Sequence, residues 1–474
     1  MEKIKAALFC LLSASATLVA QNHEAPPKLI VGLTVEGLRT DYLERFSPAY
    51  GDRGFRRLWR EARIYETANY GFWMPDIASA SATIYTGSMP RIHGIVGATF
   101  FDETTLRLRS TAQDADYMGN YTSDSSSPLA LQAGTLGDEL KDTGADKTFV
   151  FSIAPTREAA IMSAGHGANN AIWLDERNGM WCSSTYYGAF PVFIGAFNLQ
   201  NGIDKRYTDY AALKASPAIN TEINRLLPLF FDKTELGKDN ACDLLALTYM
   251  AGETQEAYVE LDQAIAHLLN LLEQRVGKDN LLLFIASTPP APSSVRRTAF
   301  SNGEFHLERC KALLNMYLMA IHGQGQWVED YNGLQLYLNK RLIEEQKLSL
   351  REVQDQAAEF LAQMSGIREV YTSTRLLQAF APEEAVLRRN AYMRGRGGDI
   401  WIDLLPGWTV IDAKRPNTDY ISRSDLPPSL LLFWGHHLTA ERLPQPITMD
   451  RIAPTLSKAI RIRAPNGCTA MPLW

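Results

Sequence analysis

Residues 74–94, MPDIASASATIYTGSMPRIHG, gather the side chains of this chain best suited to nucleophilic chemistry. Five aliphatic hydroxyls, Ser79, Ser81, Thr83, Thr86 and Ser88, lie there beside the imidazole of His93. A Ser or Thr hydroxyl attacks only when a neighbouring base or a metal activates it. A metal would need imidazoles and carboxylates at ligand spacing, yet the eight histidines (23, 93, 166, 267, 306, 322, 436 and 437) are scattered. No HExxH or HxxxH occurs among them, and the His436-His437 pair alone is a weak signal. Two glycine-rich stretches complete the candidates. MSAGHGANNA (162–171) lacks the strand–GxGxxG–helix setting of a dinucleotide site. RGRGGD (394–399) reads either as a phosphate nest or as a tight loop before a strand.

These residues must be held by a framework, and 474 residues at 46% hydrophobic are enough for a large core. A net charge of −6 argues against a nucleic-acid partner, whose protein footprint is basic. The N-terminus reads as an export leader over 1–20, MEKIK being its positive head and AALFCLLSASATLVA its apolar body. Cleavage is expected near Ala20, with Ala14-x-Ala16 as the alternative, which places the mature protein in a periplasm or outside the cell. No later run is long and apolar enough to span a bilayer. Past the leader, Cys182, Cys242, Cys310 and Cys468 are spaced too widely to mark a disulfide framework or a zinc site.

Continuous apolar, β-branched runs at 28–35, 147–154, 242–250, 280–287 and 428–435 read as strands of a parallel sheet buried on both faces. Helical spacing between them, clearest over 253–276, predicts an α/β fold with a doubly wound, mostly parallel sheet flanked by helices. Residues 296–425 break the rhythm and read as an inserted α+β lobe within a domain spanning 27–474. In such sheets ligands sit at the carboxyl ends of strands, so the residues just after each run carry the most weight.

Several segments resemble the PafA-type bacterial alkaline phosphatases of the alkaline phosphatase superfamily, relatives of the nucleotide pyrophosphatase/phosphodiesterases. They include LIVGLTVEGLRTDYLERF, ASATIYTGSMPRIHGIVG, MSAGHGANNAIWLD, RGRGGDIWIDLLPGW and DRIAPTLS. The resemblance implies that fold over about 28–474. It also implies hydrolysis of phosphoryl or sulfuryl esters by a Thr or Ser nucleophile held between two zinc ions.

Carried over residue by residue, that site is degenerate here. The nucleophile position falls on Ile77 or, with a one-residue gap, on Ala78. Ser79 comes two positions late, which on a helix turns a side chain by about 200°. Ala98 stands for an Asn that grips the phosphoryl oxygen and Pro155 for a Lys, while Arg157 is kept as a possible anion-binding remnant. Among zinc ligands, Glu36 replaces an Asp, and Ser287 and Thr288 replace an Asp-His pair before a double Pro. A loop bearing two more ligands is cut to Ala251-Gly252, and Pro428 or a neighbour stands for the last His. Thr86, Ser88 and His93 match scaffold positions.

The leading expectation is therefore a pseudoenzyme without zinc, acting as a binding, scaffold or assembly factor for an unidentified protein partner or small ligand. An enzyme with an unconventional site requires Glu36, Ser79 or Ser81, and Asp425 to converge on a metal. A glycan-binding reading would use Trp73, Trp181, Tyr186 and Tyr187.

Overall fold

The computed structural model describes residues 25–144, 147–290, 302–378, 383–415, 420–422 and 429–474, with the backbone alone at 383 and 384. The expected leader over 1–20, and the candidate residues Asp425 and Pro428, lie outside the described residues.

The runs read as buried strands form the middle of an eleven-stranded sheet. Strand β1 (Leu29–Glu36) lies at its centre, buried at every position. Beyond it come β2 (Arg63–Asn69), β3 (Val150–Ala154), β4 (Asn170–Leu174), β5 (Trp181–Ser184), β6 (Asp243–Met250) and β7 (Leu281–Thr288). The last long strand is β12 (Ser429–Gly435), and the lobe strands, among them β8 to β11, fall between β7 and β12. The central order is β2-β12-β7-β1-β6-β3-β4-β5. Neighbours from β7 to β4 run parallel.

The expectation of a parallel strand at 428–435 is corrected: β12 is antiparallel to both β7 and β2. A strand covered on both faces is apolar whichever way it runs. Here the chain enters β12 from the lobe rather than through a crossover helix, so composition carried no sign of its direction.

Alternation along the strands separates two cores. Leu29, Val31, Leu33 and Val35 of β1, with Leu281, Leu283 and Ile285 of β7, face one apolar cluster. Ile30 of β1, with Leu282, Phe284 and Ala286 of β7, faces the other. Helices α1 (Thr40–Phe46), α2 (Phe55–Glu61), α7 (Ala218–Lys233) and α8 (Gln255–Arg275) cover the first side. On the second lie α3 (Ile77–Thr86), α4 (Pro90–His93), α5 (Leu136–Gly144), α6 (Arg157–Ala164) and α12 (Ile452–Ile460).

Within the lobe, β8 (Val328–Asn332), β9 (Gln335–Leu338), β10 (Ile367–Thr372) and β11 (Ile400–Leu404) make a four-stranded sheet ordered β8-β9-β11-β10. Helices α9 (Leu307–His322) and α10 (Leu350–Leu361) pack on it around a third apolar cluster. Helix α11 (Glu383–Ala391) leads from this sheet toward the central domain.

Candidate functional site

Parallel pairing brings the carboxyl ends of β6, β1 and β7 into one row, where Met250, Glu36 and Thr288 are partners in register. Glu36 is 3% exposed. The chain turns after it at Gly37, whose φ of +73° suits a residue without Cβ. The Ala251 N–H donates to the Glu36 carbonyl at 2.9 Å, so the short Ala251-Gly252 link leaves the sheet directly into the approach to α8. Ser287 donates its hydroxyl to the Leu38 carbonyl at 2.7 Å. The Thr288 hydroxyl is buried and has no partner among the described residues.

Helix α3 brings the hydroxyl-rich stretch toward this row. Asp76 is its N-cap, in extended conformation, and Ile77 is its first residue. The Asp76 carboxylate accepts the Ser79 N–H at 2.9 Å and the Ser79 hydroxyl at 2.7 Å. The Asp76 N–H donates back to Ser79 Oγ at 3.0 Å, closing a reciprocal cap. The other carboxylate oxygen takes the Ala98 N–H at 2.5 Å, tying the helix start to the segment after α4. Ile77, Ala98 and Trp73 pack against the second apolar cluster.

The remaining hydroxyls are buried, and that of Ser81 has no partner among the described residues. Ala78 and Ser81 are fully buried. Thr86 donates to the Ala82 carbonyl at 2.7 Å and bonds Ser88 at 2.9 Å. His93 accepts the Ile95 N–H at Nδ1, which leaves its own proton on Nε2 to donate to Thr83 at 3.0 Å. Burial pushes the His93 imidazole down to about 3, so it stays neutral.

Arg157 opens α6 just after the buried Pro155, but its guanidinium is occupied. It donates to Glu158 at 2.8 and 3.1 Å and to Ser110 at 2.8 Å, and Asp124 lies 3.8 Å away. The expected anion-binding remnant is thus a partner of carboxylates. Glu158 also accepts the Ser110 hydroxyl at 2.8 Å.

Several other candidates sit elsewhere. Because β12 runs antiparallel, its end at Gly435 pairs with Leu282, near the start of β7. His436 and His437 therefore lie at the opposite end of the sheet from Glu36, where His436 Nδ1 bonds the Asp279 carbonyl at 3.0 Å. In the RGRGGD stretch, Arg396 donates to the carbonyls of Gly94 and Ala130 at 2.5 and 2.6 Å, which binds lobe to core. The His166 ring likewise bonds Asp138 and the Leu131 carbonyl, both at 3.1 Å.

The four aromatics of the glycan reading do not form one exposed face, because Trp181 is fully buried and the Tyr187 hydroxyl donates to Gly165. Trp73 is covered by the Arg388 guanidinium at 4.2 Å, and Tyr371 stacks on the other side at 4.3 Å. The four described cysteines, Cys182, Cys242, Cys310 and Cys468, are free thiols.

A zinc pair needs a cluster of carboxylates and imidazoles. At the carboxyl ends of β6, β1 and β7 stand one carboxylate, one thioether and one hydroxyl, and the Ser287 hydroxyl is spent on a carbonyl. Among the described residues no three His, Cys, Asp or Glu side chains gather as a metal site. The described residues do not fit a zinc pair; the Ser79 hydroxyl is engaged by the Asp76 carboxylate, and the Ser81 hydroxyl is buried with no partner among the described residues. Sequence reasoning missed Asp76 and Glu158. The Asp-x-x-Ser spacing of 76–79 was the legible signal for the first, and nothing in sequence aims Glu158 at Arg157.

The family described as type I phosphodiesterase / nucleotide pyrophosphatase matches residues 30–425. The chain is 27% identical to alkaline phosphatase PafA of Elizabethkingia meningoseptica, with 98% of each protein covered. It is 26% identical to a calcium-transporting ATPase of Myroides odoratus, over 98% of this chain and 97% of that one. The crystal structure of wild-type alkaline phosphatase PafA shares the fold at a TM-score of 0.84 and 24% identity, covering 94% of this chain and 98% of that one. The chain belongs to the type I phosphodiesterase / nucleotide pyrophosphatase family and has the fold of the alkaline phosphatase superfamily.

Proposed function

We propose that this chain is a non-hydrolysing member of its family, exported after cleavage near Ala20, which works as a binding, scaffold or assembly factor. The observation that carries the reading is the start of α3. Ile77 and Ala78, the two residues on which the family's nucleophile position falls by resemblance, open the helix, and the Asp76–Ser79 cap engages the Ser79 hydroxyl. Catalysis by the family's route requires an activated oxygen nucleophile and two metal ions clamping the attacking and leaving oxygens. One carboxylate, Glu36, and the hydroxyls of Ser287 and Thr288 at the carboxyl ends of β1 and β7 do not make up a two-metal ligand set.

The scaffold is nonetheless kept over nearly the whole length of relatives that carry phosphatase names. A retained fold with an altered centre supports selection for surfaces rather than for turnover.

The test is zinc stoichiometry of the purified mature chain, residues 21–474, by elemental mass spectrometry after zinc loading and desalting. Hydrolysis of p-nitrophenyl phosphate is measured on the same sample. No retained metal and no turnover above buffer is the expected result. Two zinc ions per chain with turnover overturn the reading and return the protein to the phosphomonoesterases or phosphodiesterases.

A further inference from the structure

The histidine of the MSAGHGANNA stretch stands between two acceptors. His166 Nδ1 lies 3.1 Å from Asp138 Oδ2, and its Nε2 lies 3.1 Å from the Leu131 carbonyl. A neutral imidazole carries one N–H and can satisfy only one of them, whereas the imidazolium carries two and satisfies both. Asp138 is kept as a charged acceptor, because it also takes the N–H groups of Thr135, His166 and Gly167 at 2.8, 2.8 and 2.6 Å. Burial opposes the Asp138 charge, but His166 and these backbone donors hold its carboxyl below the usual range. In return the bond to Asp138 raises the His166 imidazole above its ordinary 6.5, against the smaller, opposite effect of burial. The ring keeps 31% of its surface exposed, so water can deliver and remove the proton.

The neighbouring charges are engaged elsewhere or exposed. On α5, Glu139 pairs with Arg463 of the C-terminal segment at 2.9 Å, and Lys141 donates to the Thr148 carbonyl and to Asn169. Asp142 is exposed. Burial raises the phenols of Tyr186 and Tyr187, which stay neutral, and the Tyr187 hydroxyl donates to the Gly165 carbonyl. The loop that holds the Leu131 carbonyl is a junction. Ala130 gives its carbonyl to Arg396 of the lobe at 2.6 Å. Gln132 donates its N–H to the His93 carbonyl at 2.9 Å, and Gly134 donates its own to Asn466 at 2.8 Å. Residues 130–134 thus join core, lobe and C-terminal segment.

We propose that His166 is a proton-operated clasp: as imidazolium it ties the Leu131 carbonyl to Asp138, and loss of the proton frees residues 130–134 and slackens their hold on the lobe. The proton that leaves is the one on Nε2, since the Asp138 carboxylate retains the one on Nδ1. Because the folded value is raised, the clasp contributes fully below pH 6.5 and is lost as pH rises through that raised value. The bland account is a neutral ring with one good bond and one idle contact, and it predicts no change across this range. None of these groups stands at the carboxyl ends of β6, β1 and β7, so the proposal holds or fails whatever the chemistry there.

The experiment is hydrogen exchange of residues 21–474 from pH 6 to pH 9, with each rate divided by that of an unstructured peptide at the same pH. Protection of the amides at 131–134 is expected to fall about tenfold across the range, the worth of one hydrogen bond from a charged donor, while the amides of β1 keep theirs. His166→Gln, which donates without titrating, is expected to flatten the profile. Flat protection at 131–134 in the wild-type chain overturns the proposal, as does an equal fall in β1 or an unchanged fall in His166→Gln. Should that variant not fold, the carbon-13 histidine spectrum of the wild-type chain decides. A ring that titrates above 6.5 in step with the loss of protection is expected, and the absence of any such ring overturns the clasp.

Discussion

Asp76 and Ser79 hold each other across the first turn of α3, through the Ser79 N–H at 2.9 Å and the Ser79 hydroxyl at 2.7 Å. The same carboxylate takes the Ala98 N–H, so one side chain satisfies the helix start and fixes the neighbouring loop. A hydroxyl that already donates to a carboxylate and accepts from a backbone N–H is a structural group. Ile77, the first residue of α3, packs against the second apolar cluster.

Removing the cap tests its structural weight. Asp76→Ala strips acceptors from the Ser79 and Ala98 N–H groups, and the expected loss is about 2 kcal/mol in urea unfolding. Ser79→Ala costs less, because the Asp76 carboxylate still accepts its N–H. The double variant is expected to cost less than the sum of the two, since both changes break one network.

Restoring the missing hydroxyl does not restore chemistry. Ile77→Thr places an oxygen at the start of α3 but adds no metal ligand, so release of p-nitrophenol is expected to stay at background with or without added zinc. A rise above about tenfold would show that the surrounding groups suffice for activation, one decade of rate being about 1.4 kcal/mol of barrier.

His93 makes stability depend on pH. Burial lowers its folded value to about 3, against an ordinary value of 6.5. Below the ordinary value the unfolded chain binds a proton that the folded chain refuses. The contribution of His93 is therefore complete above pH 6.5 and is lost as pH falls toward 3. The slope is about 1.4 kcal/mol per pH unit inside that window. His93→Gln is expected to remove this slope, read as the difference between wild-type and variant urea midpoints from pH 7 to pH 4.

The seam between lobe and core hangs on Arg388, which is 3% exposed, sits between Trp73 and Tyr371, and pairs with Asp403. Trp73 N–H also donates to the Leu387 carbonyl at 3.0 Å, and Asn390 donates to Gly71 at 2.8 Å. Arg388→Ala removes one of the two guanidinium partners of Asp403, and because Arg368 remains as the other the expected cost lies below the about 3–5 kcal/mol of an orphaned buried charge. Arg388→Lys keeps the charge but not the planar stack, so it is expected to recover only part of that loss. Trp73→Ala is expected to cost less than Arg388→Ala, and hydrogen exchange should speed up selectively in α11 in both alanine variants.

By itself, the sequence determined the main elements and raised the expectation of a degenerate inherited site. The apolar runs at 28–35, 242–250 and 280–287 are strands because residues buried on both faces have no polar position to offer. Ile77, Ala98, Pro155, Ser287 and Thr288 stand out as departures from the family pattern because covalent chemistry depends on side-chain type, which spacing carries directly. Only the tertiary structure decided the direction of β12, since burial looks alike in parallel and antiparallel strands, and with it the placing of His436 and His437 at the far end of the sheet. It also decided the partners of Arg157 and the stacking of Arg388 on Trp73. Each of these depends on distances between residues far apart in the chain or on side-chain direction, and neither is written in local composition.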